Sequence, residues 1–384
     1  MGTRSKKRVE ELQALLRERD WDGALYAVGA SFVYLADEPG LDWQRTSVTG
    51  DPSMKEDASA LRCPDALLWV PKQGEARIIA TPRRAAGLYG CGLPVAVYFL
   101  ECMPDALHMY TEGGRIAVGE PCSAEVRRML AEARLNIRIE QGEDLCQQLR
   151  MMKDEDEIAR LRAAAELTDR AMGNVLSLLR PGVTAREVER YLANFGLSNG
   201  AQDISFPPTV HMTPSGGQST AGQDKDAPME WNTAIAFDFG YVVGGYCSDF
   251  GRSFYVGTPS DRLKAAYRAL QYAQVSLLAS IRPCETRIGD LFGIVLKAME
   301  EHGAGEWLQH KEKGMLGHQI GLDCHEAPIV MLGEDTLLRP GMVMCIEPKV
   351  WLPGEGYLRV EDMVLITPTG AESLTSCDRN LFVL

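Results

Sequence analysis

At 384 residues, with 45% apolar and 24% charged side chains, the chain has the makeup of a globular protein of two domains, each with its own core. Its net charge of -13 argues against nucleic acid or an anionic membrane as a partner. Ten cysteines scattered from Cys63 to Cys377 without a CxxC pair point to reduced thiols in the cytoplasm, and neither a secretion signal nor an apolar run of membrane-spanning length is found.

The chain opens with an amphipathic helix over Lys6 to Arg19, whose Val9, Leu12, Leu15 and Leu16 recur at helical spacing. Apolar strands follow at Gly23 to Val28, Ala66 to Pro71, Ala76 to Ala80, Val95 to Leu100 and Arg115 to Gly119, with a helical stretch at Ala124 to Arg134. This alternation predicts an α/β domain with a parallel or mixed sheet over residues 1–150. Asp37, Glu38, Asp42 and Asp51 to Asp57 read as a solvated loop. The charged run Met151 to Glu157 marks the boundary to a second domain, 151–384, and itself reads as a solvated helix start. A long helix over Ile158 to Leu179 stops at Arg180-Pro181-Gly182, and a capping box at Thr184 to Glu187 starts the next, through about Phe195. Helices over Asp261 to Ile281 and Ile288 to His302, again separated by Arg-Pro, repeat that order and hint at a duplicated domain. Gly216 to Asp226 is polar and should be a loop.

Three apolar stretches hold acids or histidines. In IAFDFGYVVGGYCSDFGRSFY, a turn at Val243 and Gly244 would set Asp238 opposite Asp249, with Cβ atoms about 4.5 to 5.5 Å apart. Two such carboxylates among Phe237, Phe239 and Phe250 need a cation between them. His318 lies between Gly317 and Gly321, which let backbone approach a site closely, and His325 follows seven residues later. Glu347 ends a strand-like apolar run, and Glu361 lies as far from Gly354 on the other side, so a symmetric hairpin faces the two glutamates. Arg359 shares a face with Glu361 by alternation. Four carboxylates and one imidazole, without a thiolate, suit Mn(II), Fe(II), Co(II) or Zn(II), and that much negative charge calls for two ions about 3.5 to 4 Å apart.

These stretches resemble the pita-bread metallopeptidases, which include methionine aminopeptidase, Xaa-Pro aminopeptidase, prolidase and the metal-free relative creatinase. The matching pieces are DFG with Asp238, SDFGRSF with Asp249, GHQIGLDCHEAP with His318 and His325, CIEP with Glu347 and RVED with Glu361. The amino-terminal part is similar in kind to the prolidase and creatinase branch. The resemblance implies an α/β (α+β) protein: a creatinase-like domain, then a pita-bread catalytic domain with an internal pseudo-twofold repeat. It implies two ions, Mn(II) first among them, held by Asp238, Asp249, His318, Glu347 and Glu361, with Asp249 and Glu361 shared. Glu347 would be general base to a metal-bridging hydroxide, His325 would steady the substrate, and Arg359 would support the site or meet a substrate carboxylate. The activity implied is hydrolysis of Xaa-Pro dipeptides or short peptides by a cytoplasmic homodimer. One departure stands out: the histidine that the family's peptidases carry ahead of the first aspartate is missing from GGQSTAGQDKDAP, which leaves His211 as its nearest stand-in for substrate contact. That gap keeps open a member acting on a non-peptide small molecule by lyase or amidinohydrolase-like chemistry, and a non-catalytic binding protein.

Overall fold

The structure is a computed structural model and describes residues 3–43, 65–88, 90–111, 114–119, 124–133, 138–140, 145–217 and 223–384. The chain divides into two compact units, Met1–Arg150 and Met151–Leu384. Among the described residues no helix is long and apolar enough to cross a membrane, and every described cysteine is free.

The first unit is built on a six-stranded mixed sheet: β1 (Gly23–Ala27), β2 (Ala66–Pro71), β3 (Arg77–Ala80), β4 (Val95–Val97), β5 (Arg115–Val118) and β6 (Arg138–Glu140), in the order β4-β3-β2-β1-β5-β6. β1 to β3 pair antiparallel, and the outer pairs β3–β4, β1–β5 and β5–β6 are parallel. The inner strands are apolar along their length because both faces are covered. Helix Thr3–Glu18 buries Val9, Leu12 and Leu16, the stripe that its spacing sets on one side. Asp37 does not lie free in a loop. It ends helix Ala30–Ala36 in the left-handed conformation and takes ion pairs from Arg4 and Arg8 at 3.4 and 3.3 Å. The acids Asp51 to Asp57 lie outside the described residues.

In the second unit one order occurs twice, a helix pair followed by an antiparallel sheet. Helices Glu155–Val175 and Ala185–Ser198 precede β7 (Asp203–Pro214), β8 (Thr233–Val243), β9 (Tyr246–Cys247) and β10 (Phe250–Val256), and the carboxy-terminal β18 (Phe382–Val383) adds a parallel edge strand in the order β18-β10-β8-β7. Helices Asp261–Ser280 and Asp290–Glu301 precede β11 (Met315–Gln319), β12 (Glu326–Met331), β13 (Val343–Ile346), β16 (Asp362–Thr367) and β17 (Gly370–Ser373), in the order β12-β11-β13-β16-β17. Between β13 and β16 the chain makes a separate hairpin, β14 (Lys349–Leu352) with β15 (Gly356–Arg359).

Local chemistry explains the boundaries. The Thr184 hydroxyl accepts from the Glu187 amide at 3.2 Å and the Glu187 carboxylate accepts from the Thr184 amide at 2.9 Å, the capping box expected there. A second capping box, between Asp154 and Glu157, starts the long helix at Glu155, three residues ahead of the sequence reading. The charged run before it is not all solvated, since Lys153 is buried and donates to Gln319 Oε1 at 3.2 Å and Glu326 Oε2 at 3.4 Å. Each half has its own apolar core, one around Phe237, Phe239, Phe250 and Phe254, the other around Leu270, Val295, Met344 and Val364.

Candidate metal centre

The aspartate hairpin turns one residue later than its sequence suggests. Gly244 and Gly245 form the turn with φ of 57° and 83°, so β8 and β9 pair Val243 with Tyr246. A two-residue hairpin of this hand needs positive φ at both central positions, which a glycine pair meets and Val243 does not. Asp238 therefore faces Gly251, and Asp249 is displaced by two residues along the strand from the predicted partner position. A slip of two keeps the face, so both carboxylates still point to one side of the sheet. Gly251 leaves the room this requires: a Cβ there would meet Arg359 Cδ at 2.4 Å and Glu361 Oε2 at 2.8 Å.

The glutamate hairpin has the expected register. Lys349 pairs with Arg359, Val350 with Leu358 and Leu352 with Gly356, while Ile346 pairs with Asp362 on the other side of the glutamates, so a single symmetry about Gly354 spans both ladders. At Glu347 and Glu361 the strands change partners. The Glu347 amide donates to Leu316 O at 2.9 Å and the Glu361 amide to Gly251 O at 2.9 Å, which brings the glutamates to the β10 and β11 edges. His318 arrives from β11, directly across from Cys345 of β13.

Asp249, His318 and Glu361 converge together with Cys345, all buried, each offering a ligand atom within 4.8 Å of the others'. His318 Nε2 lies 3.3 Å from Asp249 Oδ2, and its Nδ1 is 3.0 Å from Gln319 O, which orients the ring. Burial opposes charge on both partners, yet each stabilises the other: the Asp249 carboxyl ends below its usual range and the His318 imidazole above its own. Asp238 and Glu347 stand on the far side of Arg359. The guanidinium contacts Asp238 through Nη1 and Glu347 through Nη2, with Nε 3.0 Å from Glu361 Oε2. Lys349 Nζ also contacts Glu347. Burial raises the Glu347 carboxyl, but Lys349 and Arg359 more than offset it and hold the group ionised. Burial pushes Glu361 well up and raises Asp238, each only partly relieved by Arg359.

Despite these neighbours, Asp249 Oδ1, both Glu361 oxygens and Arg359 Nε are buried without a hydrogen-bond partner, although Arg359 Nε lies 3.0 Å from Glu361 Oε2. Buried carboxylate oxygens without donors carry a large desolvation cost that a divalent cation would remove, so the donor set fits a metal ion.

His325 is exposed at the rim, its ring 4.2 Å from that of His318. Although the residue reaches solvent, desolvation of the ring against the site and the neighbouring His318 lower its pKa. His211 sits on β7 opposite Ala236, on the Asp238 face of the sheet, and packs edge-on against Tyr357 at 5.3 Å. Burial and the charges of Arg359, Lys225 and Lys349 depress its pKa to about 4. The predicted loop Gly216 to Asp226 lies in part outside the described residues. Sequence reasoning missed Lys349, Tyr357, Cys345 and Cys324, whose thiol donates to Asp249 Oδ2 at 3.3 Å. The hairpin symmetry about Gly354 could have found Lys349, as it sets that residue opposite Arg359.

Residues 159–368 match the family described as Metallopeptidase family M24. An uncharacterized peptidase of Staphylococcus aureus is 34% identical over 232 residues, 60% of this chain; the matched stretch spans 64% of that relative's own length. Among solved structures, a Bacillus anthracis protein titled Xaa-Pro dipeptidase superposes with a TM-score of 0.83 at 26% identity, covering 99% of this chain and all of its own. A Thermotoga maritima protein titled X-Pro aminopeptidase gives a TM-score of 0.78 at 25% identity, covering 98% of this chain and 99% of its own. The fold of the second unit is thus the pita-bread fold.

Proposed function

We propose a function from one premise: this chain belongs to metallopeptidase family M24. Our reading is a metal-dependent peptidase that hydrolyses Xaa-Pro dipeptides or short Xaa-Pro peptides with two divalent ions. The observation that supports it most is the set of unpartnered, buried oxygens of Asp249 and Glu361 beside His318. Asp238, Asp249, His318, Glu347 and Glu361 would hold the pair. Mn(II) is the ion we favour, with Co(II), Zn(II) and Fe(II) also suited to oxygen donors and one imidazole. When bound, the ions would supply Lewis acidity towards the scissile carbonyl and a water acidic enough to react near neutral pH.

The chain supplies the remaining chemistry. Glu347, kept ionised by Lys349 and Arg359, is the proton acceptor in this reading. His325, at the solvent-facing rim next to His318, would donate a hydrogen bond to the substrate or to the tetrahedral species formed from it. Arg359 holds three of the carboxylates in place, and His211, neutral at working pH, lines the same side of the sheet for substrate contact. We further place the protein in the cytoplasm, as a homodimer, with a small peptide as substrate and neither nucleic acid nor membrane as partner; sedimentation of the purified protein checks the dimer. The decisive assay strips the protein of metal, adds back Mn(II), Co(II), Zn(II) or Fe(II), and follows cleavage of Xaa-Pro substrates of several lengths. Proline-directed cleavage that returns with metal is the expected result, and none with any ion sinks the reading. A second reading, a family member acting on a non-peptide small molecule, draws support from Lys349, a cation not foreseen at this site, resting on the proposed proton acceptor.

A further inference from the structure

Hairpin β14–β15 has two unlike faces. Val350, Leu352 and Leu358 are fully buried in the apolar core. The other face carries Lys349 opposite Arg359 and Trp351 opposite Tyr357, with Lys349, Trp351 and Tyr357 only half-buried. Cross-strand partners share a face, so this one presents two cations and two aromatic rings side by side. Arg359 reaches the carboxylate cluster, which fixes the direction in which that face looks. His211 packs on the edge of Tyr357 and adds a third ring to the wall.

Charge decides what the wall is for. Arg359 and Lys349 contact Asp238, Glu347 and Glu361, and Asp249 is the remaining carboxylate of the cluster. Four carboxylates against two cations leave two negative charges, which one divalent ion would cancel. A pair of ions with a hydroxide, as in the function proposed above on which this inference rests, would leave one positive charge in excess. With Glu347 committed to metal, the Lys349 ammonium would lose its one ion-pair contact among the described residues, Asp238 acting on it only from farther off. It would then stand half-buried beside aromatic rings without a counter-ion, a costly arrangement unless the substrate brings one.

We propose that Lys349 is a specificity-determining residue that holds a carboxylate of the substrate, with Tyr357, Trp351 and His211 flanking the group that bears it. The substrate class is thereby an acid: a peptide with its free carboxyl end near the cleaved bond, or a small heterocyclic carboxylic acid. Both sources offer Lys349 the same charge-assisted hydrogen bond.

The test compares acid and amide. Metal-loaded wild-type protein, Lys349→Met and Lys349→Arg are assayed for kcat and KM on Ala-Pro and on Ala-prolinamide, and binding of proline, prolinamide, pipecolic acid and pipecolamide is measured by calorimetry. The wild type should favour acid over amide by about 10-fold or more, the worth of one hydrogen bond to a charged group. In Lys349→Met that ratio should fall towards one, mainly through KM, and Lys349→Arg should restore part of it. An undiminished ratio in Lys349→Met, with both compounds weakened alike, overturns the proposal and leaves Lys349 a partner of Glu347 alone. Equal affinity of the wild type for acid and amide overturns it as well. Should neither peptide be cleaved while the acids still bind in preference to their amides, the peptidase reading falls and the carboxylate site stands.

Discussion

Replacing Arg252 by Met should cost the second unit about 3 to 5 kcal/mol, the usual penalty for breaking a buried ion pair from one side. Arg252 is fully buried, and its guanidinium joins strands that carry proposed ligands from opposite hairpins. Nη2 donates to Asp362 Oδ1 at 2.6 Å and Cys377 O at 3.0 Å, Nε to Asp378 O at 3.2 Å, and Nη1 to Gly251 O at 2.9 Å and to Glu361 O. Without it Asp362 keeps Arg379, whose Nε is 2.6 Å away, Thr375 at 2.8 Å and Gln274 at 3.0 Å. Those partners set the loss on the carboxylate side at the lower end of the range, and the abandoned carbonyls, at about 1 kcal/mol or more each, bring it back up. For a unit of this size the melting temperature should drop by roughly 6 to 20 °C. Calorimetry of the metal-free protein reads the shift without contribution from bound ions. The double variant Arg252→Met/Asp362→Leu removes the carboxylate left behind but abandons the same carbonyls and takes the partner of Arg379, so it should recover only part of the loss. The reasoning fails if the single variant melts within about 2 °C of the wild type, or if the double variant is no better than the single. A pH series adds a sign. Burial raises the Asp362 carboxyl, but Arg252 and Arg379 outweigh it and hold the pKa at about 2, below the ordinary 3.8. A depressed carboxyl pKa stabilises the fold above the unfolded value and loses that contribution as pH falls through the folded one. The gap between wild type and Arg252→Met should be full at neutral pH and shrink below about pH 4.

Asp249→Asn should abolish binding of metal, measured by elemental analysis after dialysis; two ions retained at full occupancy would show the ligand assignment to be wrong. Gly251→Ala should cost about 1 to 3 kcal/mol by overpacking and lower metal occupancy, because its methyl group meets the Arg359 and Glu361 side chains; unchanged melting and metal content would contradict the close approach. The His211 imidazole should titrate in the metal-free protein near pH 4, followed by its ring resonances, and a midpoint at or above 6.5 would refute its setting. Since its folded pKa lies below the unfolded one, it lowers stability as pH falls from 6.5 towards 4.

What the chain announced in advance was whatever depends on local periodicity. The apolar runs of β1 to β3 and β5, the Thr184 capping box and the symmetric glutamate hairpin needed only alternation, a cap residue and a turn centre. The aspartate hairpin was misplaced by one residue because positive φ at both turn positions, and not the apolar pattern, decides where the chain reverses. Lys153 and Glu326 could not be paired from sequence. Their link joins a helix entrance to a segment far along the chain, and Lys153 read as part of a solvated charged run. Asp362 follows Glu361 directly in the sequence. Pleating sends them apart, Glu361 towards Arg359 and Asp362 to Arg252 and Arg379, and only the fold shows which partner waits on each side.

The paired glycines between β8 and β9 have a consequence for how related sequences can differ in length. Removing one residue from that reversal would turn every side chain after it to the opposite side of the sheet, sending Asp249 towards the phenylalanine core. Removing two would slide the ladder while leaving each group on its own side. Insertions and deletions in this hairpin should therefore be inherited in pairs, and a single-residue change should survive only with a compensating bulge between the turn and Asp249.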